Sequence, residues 1–166
     1  MTEQPSQTPP NMPVLAVNLQ YLKDVSFESP RAPQIFVSQG PQPQVGVNVR
    51  VDGRGVGENT YEIVLHLEVK ADAGDETVFL VEMDYAGIFT VAPLAPEVLG
   101  PLLMIEAPRL LFPYARQIVS QTVASGGFPP LLINPIDFAD LYRRQLAAQQ
   151  EQPGAAAAAK VAPMTV

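Results

Sequence analysis

The sequence predicts an α+β fold in which a four-stranded antiparallel sheet is followed by two helices. In the first half of the chain, four segments alternate apolar and polar residues with period two, as strands with one buried face do. After Val91 the apolar residues recur at the three- and four-residue spacing of a helix. Strands and helices in separate halves of a chain are typical of α+β proteins rather than of βαβ units.

The four strands are predicted at residues 17–28, 44–52, 60–70 and 77–85. The links at 52–59 and 71–76 are short and rich in turn residues, which favours antiparallel neighbours for strands two, three and four. Residues 29–43 contain four prolines and therefore predict a long crossover loop between strands one and two rather than a further strand.

Strand parity places the apolar residues of strand one on a single face of the sheet, which must be covered by helices or by another chain. On strand one this face carries Val17, Leu19, Tyr21, Val25 and Phe27. The opposite face collects six carboxylates, interrupted by Leu22, Val64 and Leu80: Asp24, Glu28, Glu62, Glu68, Glu82 and Asp84. This face is either a solvated outer surface or a docking surface for a basic partner.

The first helix is predicted to begin near Pro108, with Pro113 in its first turns, where the missing amide proton costs least. Its apolar stripe consists of Leu111, Ala115, Ile118, Val119 and Thr122. This stripe is narrow for a sheet of four strands, so the pattern also indicates oligomerisation. A loop rich in glycine and proline ends the helix, and a second helix follows it.

Composition limits the function. A single domain is expected over residues 14–150, between a disordered N-terminal tail at 1–13 and a low-complexity tail at 151–166. The net charge of −7 argues against nucleic acid and anionic membranes as partners. No secretory signal and no apolar run of membrane-spanning length are visible, so we expect a cytoplasmic protein without direct membrane insertion.

Catalytic and metal-binding motifs are missing from the sequence. The chain has no cysteine, and its single histidine, His66, is expected to be an exposed polar residue on the acidic face. We therefore expect neither an enzyme nor a cofactor. Surplus apolar residues lie in irregular segments at 35–37 and 128–133, where they either cap the core or line a groove for an extended apolar peptide.

Three segments resemble the SecB family of protein-export chaperones. They are YLKDVSFESPRAP at 21–33, ETVFLVEMDYAGIFTV at 76–91, and LLFPYARQIVSQTVASGGFPPLLINPIDFADLY at 110–142, and the similarity extends from about Val14 to Leu146. The resemblance implies a homotetramer, a dimer of dimers with the long helices between two sheets. It also implies a holdase that binds unfolded preproteins without ATP and delivers them to the SecA motor.

The resemblance also assigns roles to residues. Asp24, Glu28, Leu80 and Glu82 match the positions that dock SecA, and parity places all four on the acidic face. Any zinc would belong to the basic tail of SecA. Oligomer contacts are expected at Val81, Met83, Tyr85, Ile118 and Val119. The client groove is expected to include Phe27, Phe36, Tyr61 and Phe138.

Two alternatives remain open. One is a chaperone of the same fold that serves a toxin–antitoxin pair, which the retained acidic docking residues disfavour. The other is a small β-rich carrier of apolar ligands, which the proline-rich crossover and the helical second half fit poorly.

Overall fold

The computed structural model describes residues 14–150, so the sequence predictions for both tails lie outside the described residues. The strands are β1 (Leu15–Glu28), β2 (Gln44–Gly57), β3 (Thr60–Ala73) and β4 (Glu76–Val91). The helices are α1 (Gln34–Val37), α2 (Pro96–Pro101), α3 (Ala107–Ser125) and α4 (Phe138–Gln150), with a π-helical turn at Leu102–Glu106. All strand pairs are antiparallel in the order β1-β4-β3-β2, so the crossover that contains α1 joins the two edges of the sheet.

The hairpin turns are tighter than the sequence predicts. The predicted link at 52–59 is wrong, because β2 continues through its glycines and only Glu58 and Asn59 form the turn. Asn59 adopts a φ of 50°, a left-handed conformation that asparagine tolerates better than most residues. Gly53 lies inside the strand, where a Cβ would come within 3.0 Å of the Ile63 side chain. Gly53 therefore serves close packing within the strand rather than a loop.

Two register shifts in β1 change which face its residues occupy. They lie between Val17 and Leu19 and between Leu22 and Asp24. Each shift adds one residue to β1 and reverses the alternation of its side chains. The side chains between the two shifts therefore lie on the opposite face from the one predicted. The parity prediction is therefore wrong for four residues: Leu19 and Tyr21 lie on the outer face, and Gln20 and Leu22 lie on the face toward the helices.

The core lies between the sheet and α3. Leu111, Ala115 and Val119 of α3 are fully buried against β3 and β4, as the predicted stripe requires. α3 begins at Ala107, next to the predicted start at Pro108, and Pro113 lies in its second turn. Helical backbone, however, already begins at Pro96, so Pro113 is preceded by further helical turns that the sequence did not predict. At the start of α4, the Asp137 carboxylate accepts a hydrogen bond of 3.0 Å from the amide of Asp140 and caps the helix.

One helix covers only the centre of the sheet. Apolar side chains therefore remain exposed at both edges of its helix-facing side, among them Val17, Leu22 and Val25 on β1 and Val45 and Val47 on β2. α3 also exposes Leu110 and Tyr114. Within residues 14–150, no helix combines the length and apolar character needed to cross a membrane.

Candidate binding surfaces

The outer face of the sheet carries an acidic surface, defined here as Asp24, Glu28, Glu68, Leu80, Glu82 and Asp84. The β1–β4 register places Asp24 opposite Asp84, and Glu28 opposite Leu80. Glu82 lies on the outward rung between these two pairs, opposite Glu68 of β3. The four residues expected to dock SecA thus fall within a strip about 14 Å long, at about 3.4 Å per residue.

The carboxylates of this surface are mostly unneutralised. Among residues 14–150, no cation lies within 4.0 Å of Asp24, Glu28, Glu68 or Glu82. Like charges directly opposite each other on neighbouring strands destabilise a sheet, and Glu68 and Glu82 form such a pair. The geometry therefore offers a concentrated negative charge to a cationic partner.

Glu62 shares the outer face but is not part of the acidic surface. Only 3% of it is exposed, because Tyr21 and Lys23 cover it from β1 and Arg54 from β2. The Tyr21 hydroxyl donates to its carboxylate, which also lies 3.0 Å from Lys23 Nζ and 2.5 Å from Arg54 Nε. Burial alone raises the pKa of Glu62, but these hydrogen bonds outweigh it and lower the pKa to about 2.

The same contact affects Tyr21. Burial, followed by its hydrogen bond to the Glu62 carboxylate, raises the pKa of the Tyr21 hydroxyl to about 12. In the Glu62 cluster, meaning Glu62 with Tyr21, Lys23 and Arg54, the negative charge of Glu62 is thus compensated by two cations, and the cluster links β1, β3 and β2. Parity predicted the face that Glu62 occupies but not that its neighbours bury it.

His66 is not the exposed residue that the sequence predicts. Its side chain is about one-fifth exposed and lies between two carboxylates, Asp52 of β2 and Asp84 of β4. Two shallow depressions, of about 220 and 270 Å³, flank the His66–Asp84 pair on the outer face. In the described part of the chain, no group of three or more His, Cys, Asp or Glu side chains is placed to hold a metal ion.

An aromatic cluster lies on the opposite, helix-facing side, at the end of the sheet near the crossover. It consists of Phe27, Phe36, Phe79 and Phe128. The centroid of the Phe128 ring lies 5.1 Å from that of Phe36, 5.0 Å from that of Phe79 and 6.4 Å from that of Phe27. Phe36 is 49% exposed, and the adjacent Val37 is 83% exposed. The cluster therefore presents an apolar rim to solvent.

Two glycines after α3 shape this cluster. A Cβ on Gly126 would lie 2.1 Å from the Phe27 ring, and one on Gly127 would lie 3.1 Å from the Phe36 ring. Gly127 also has a φ of 90°, which side chains rarely adopt. The glycine pair thus leaves room for both rings, and it is the sequence signal that could have identified Phe128 as their partner.

The other two residues expected in the client groove lie elsewhere. Tyr61 is opposite Phe89 of β4, eight residues along β4 from the rung of Phe27, a distance of about 27 Å. Phe138 is only 2% exposed and packs edge-on against Phe112 at 6.0 Å. Its placement in the groove is therefore wrong for this chain, because Phe138 starts α4 and anchors that helix in the core.

The residues expected at oligomer contacts lie mainly inside the chain's own core. Four of these five residues are buried: Val81, Met83 and Tyr85 of β4 lie beneath α3, and Val119 is on the buried side of α3. Ile118 is half-buried. The exposed apolar residues of α3 are instead Leu110 and Tyr114, and the Tyr114 ring stacks on Tyr85 at 6.5 Å. Helical spacing predicted the buried side of α3 but did not single out its exposed apolar side.

Comparisons with known proteins identify the family of this chain. Residues 8–149 match the family model described as preprotein translocase subunit SecB. The chain belongs to the SecB family. It is 48% identical to the protein-export protein SecB of Rhodopseudomonas palustris over 90% of this chain and 94% of that one. It is 50% identical to the protein of the same name from Rhodospirillum centenum, over 80% and 79% of the two chains.

The fold of the family is also seen in a solved structure. A SecB-like chaperone of Mycobacterium tuberculosis, in complex with a peptide from an antitoxin, superposes with a TM-score of 0.62 at 13% identity. The superposition covers 74% of this chain and 90% of that one. At this identity the likeness confirms the α+β architecture, with its four-stranded antiparallel sheet followed by helices.

Proposed function

We propose that this SecB-family chain is a cytoplasmic holdase of protein export. It binds unfolded preproteins without ATP, keeps them competent for translocation and delivers them to SecA. One observation carries the proposal: the acidic surface and the aromatic cluster occupy opposite faces of one sheet. A client held on the apolar rim therefore leaves the acidic surface free for a second, basic partner.

Adjacent residues join these two surfaces. Phe27 and Phe79 belong to the aromatic cluster, and the residues that follow them, Glu28 and Leu80, belong to the acidic surface. Successive side chains of a strand point to opposite faces, so each pair presents one residue to each partner. The chemistry also suits a holdase, because an apolar rim with few directional groups accepts many sequences.

Assembly into a homotetramer belongs to the same proposal. The exposed apolar edges of the sheet, together with Leu110 and Tyr114, are what a second copy would cover. Each large apolar side chain that becomes buried contributes roughly 1.5–3 kcal/mol. Light scattering at micromolar concentration should give about four times the mass of one chain, and a stable monomer would contradict the assembly.

The holdase activity is tested by the refolding of a denatured preprotein in the absence of nucleotide. We expect the full chain to slow refolding in proportion to its concentration. A Phe36→Ser, Phe128→Ser variant should slow it less, because the apolar rim is removed. Val56→Ser, an exposed apolar change on β2 away from the cluster, is the control. Equal activity of all three proteins would exclude the cluster as the client site.

The docking surface is tested by charge reversal. Asp24→Lys combined with Glu82→Lys should abolish SecA binding in calorimetry, while capture of an unfolded client stays intact. Glu97→Lys with Asp75→Lys makes the same charge change at exposed positions outside the acidic surface, and this control should retain binding. Unchanged SecA affinity in the first variant would refute the docking assignment.

A further inference from the structure

One depression on the outer face has sides of different charge. It is the smaller of the two, with a volume of about 220 Å³, and it lies across β2, β3 and β4. Arg50 and Asn48 line its β2 side. The side formed by β3 and β4 is lined by Glu68, Glu82 and Asp84 of the acidic surface. The depression therefore faces a docked partner with a cation on one side and carboxylates on the other.

The guanidinium of Arg50 is not fully used within the fold. Its side chain is 42% exposed, and its one ion-pair contact within residues 14–150 is from Nε to Asp52 Oδ2, at 3.5 Å. Nε is buried and has no hydrogen-bond partner among the described residues. A guanidinium carries five N–H donors in a plane that matches the two oxygens of a carboxylate. Arg50 can therefore pair with a carboxylate supplied by a partner.

Arg50 lies close to the carboxylates that a cationic partner would contact. It is directly opposite His66, which is directly opposite Asp84, and Glu82 lies two residues from Asp84 along β4. Strand spacings place the Cα atoms of Arg50 and Glu82 about 12 Å apart. An extended peptide covers this distance in about four residues. One short segment of a partner can thus reach both side chains.

A purely cationic segment fits this arrangement poorly. When it binds Glu82 and Glu68, it also removes water from Arg50 and places a like charge beside it, without supplying an acceptor. A segment that carries a carboxylate next to its cations pairs with both sides of the depression. Arg50 therefore separates two kinds of basic partner that the acidic surface alone would bind equally.

We propose that Arg50 makes the outer face selective for a partner segment of mixed charge, in which cations bind the acidic surface and a nearby carboxylate binds Arg50. The proposal rests on the proposed function, because it specifies the chemistry of the partner that docks on that surface. Arg50 is thus a specificity-determining residue, and polycations without a carboxylate are disfavoured.

Two synthetic peptides of the same net charge test the site. One is decalysine, and the other is a longer lysine peptide that ends in two glutamates. The full-length wild type should bind the mixed peptide about two- to fivefold more tightly, the range for one exposed ion pair. Arg50→Gln should lose this preference in calorimetry at low salt. Equal wild-type affinities for the two peptides, or a preference that survives in Arg50→Gln, overturns the proposal.

Two further variants separate the role of Arg50 from a general effect of charge. Lys70→Gln removes a positive charge from the same face, but Lys70 Nζ already lies 3.2 Å from Asp72 Oδ2, so this variant should keep the preference. Arg50→Lys keeps the charge without the planar set of donors and should restore part of the preference. An equal loss of preference in Lys70→Gln and Arg50→Gln overturns the specific role of Arg50.

The sign of the effect on SecA is the second test. Arg50→Gln makes the outer face more negative, so a general charge effect would strengthen the binding of a basic partner. If the docked segment supplies a carboxylate to Arg50, the same variant should instead lower SecA affinity by about two- to fivefold. An unchanged or higher SecA affinity overturns the proposal.

The two proposals fail separately. If the protein neither slows refolding nor binds SecA, the proposed function fails, while the peptide affinities still decide whether Arg50 reads a carboxylate. If SecA binds the wild type and Arg50→Gln changes neither the peptide preference nor SecA affinity, the role of Arg50 fails and the export function is unaffected. Circular dichroism of each variant confirms that the fold is retained.

Discussion

Glu62 and Glu82 are carboxylates on the same face of the same sheet, yet their surroundings are opposite. Glu62 is 3% exposed and receives hydrogen bonds from Tyr21, Lys23 and Arg54. Glu82 is exposed, lies opposite Glu68, and has no cation within ion-pair distance in residues 14–150. One end of the outer face therefore uses negative charge to hold strands together, and the other end keeps it available for a partner.

The difference shows that residue type and strand parity are not enough to identify a docking residue. What separates the two carboxylates is compensation. Loss of the buried Glu62 charge would leave its hydrogen-bond donors without their partner, whereas the exposed Glu82 charge opposes another carboxylate and costs stability. The repulsion between Glu82 and Glu68 lowers stability, and no cation in residues 14–150 lies close enough to Glu82 to offset it. This favours a binding role for Glu82.

The largest effect is expected from removing Glu62. Glu62→Ala takes the partner from the partly buried Tyr21 hydroxyl and from two cations, so the free energy of unfolding should fall by about 3 kcal/mol. Glu82→Ala, the matched change at an exposed site, should alter it by no more than about 0.5 kcal/mol. Urea unfolding at one fixed protein concentration measures both. Similar losses in the two variants would contradict the division of the outer face.

The second-largest effect is expected from acid, which should weaken the Glu62 cluster. The folded-state pKa of Glu62 is about 2, below its ordinary value of 4.5, so its stabilisation is complete above that value and is lost as the pH falls toward 2. We expect the wild type to lose about 2 kcal/mol from this group between pH 5 and pH 3. The stability gap between wild type and Glu62→Gln should narrow by that amount in unfolding measurements. A constant gap would mean that Glu62 is not held as a low-pKa carboxylate.

The sequence predicted the sheet well because alternation reports directly on a half-buried strand. It failed between the two shifts in β1, since a bulge is decided by pairing with β4 and leaves no mark in the alternation itself. The consequence reaches the outer face. The shift between Leu22 and Asp24 brings Tyr21 over Glu62, so the burial of Glu62 could not be predicted from parity.

The binding surfaces were predicted in part for a similar reason. Asp24, Glu28 and Glu82 lie close together because neighbouring strands fix their positions, and both parity and family resemblance identified them. Phe27 and Phe36 share a partner only because the end of α3 brings Phe128 and the glycine pair to both rings. Long-range packing of this kind is not encoded in local periodicity, which is also why Phe138 was assigned to a surface although it lies in the core.

The smallest effect is expected from Glu82→Gln, which should raise stability but weaken binding. Glu82→Gln removes one of two like charges that face each other across β3 and β4, so it should raise the free energy of unfolding by roughly 0.3 kcal/mol at low salt. The gain should vanish at about 1 M salt, where charges are screened within about 3 Å. The same variant should bind SecA more weakly than the wild type. If Glu82→Gln instead destabilises the protein, Glu82 has a compensating contact, and its exposed charge is no longer an argument for docking.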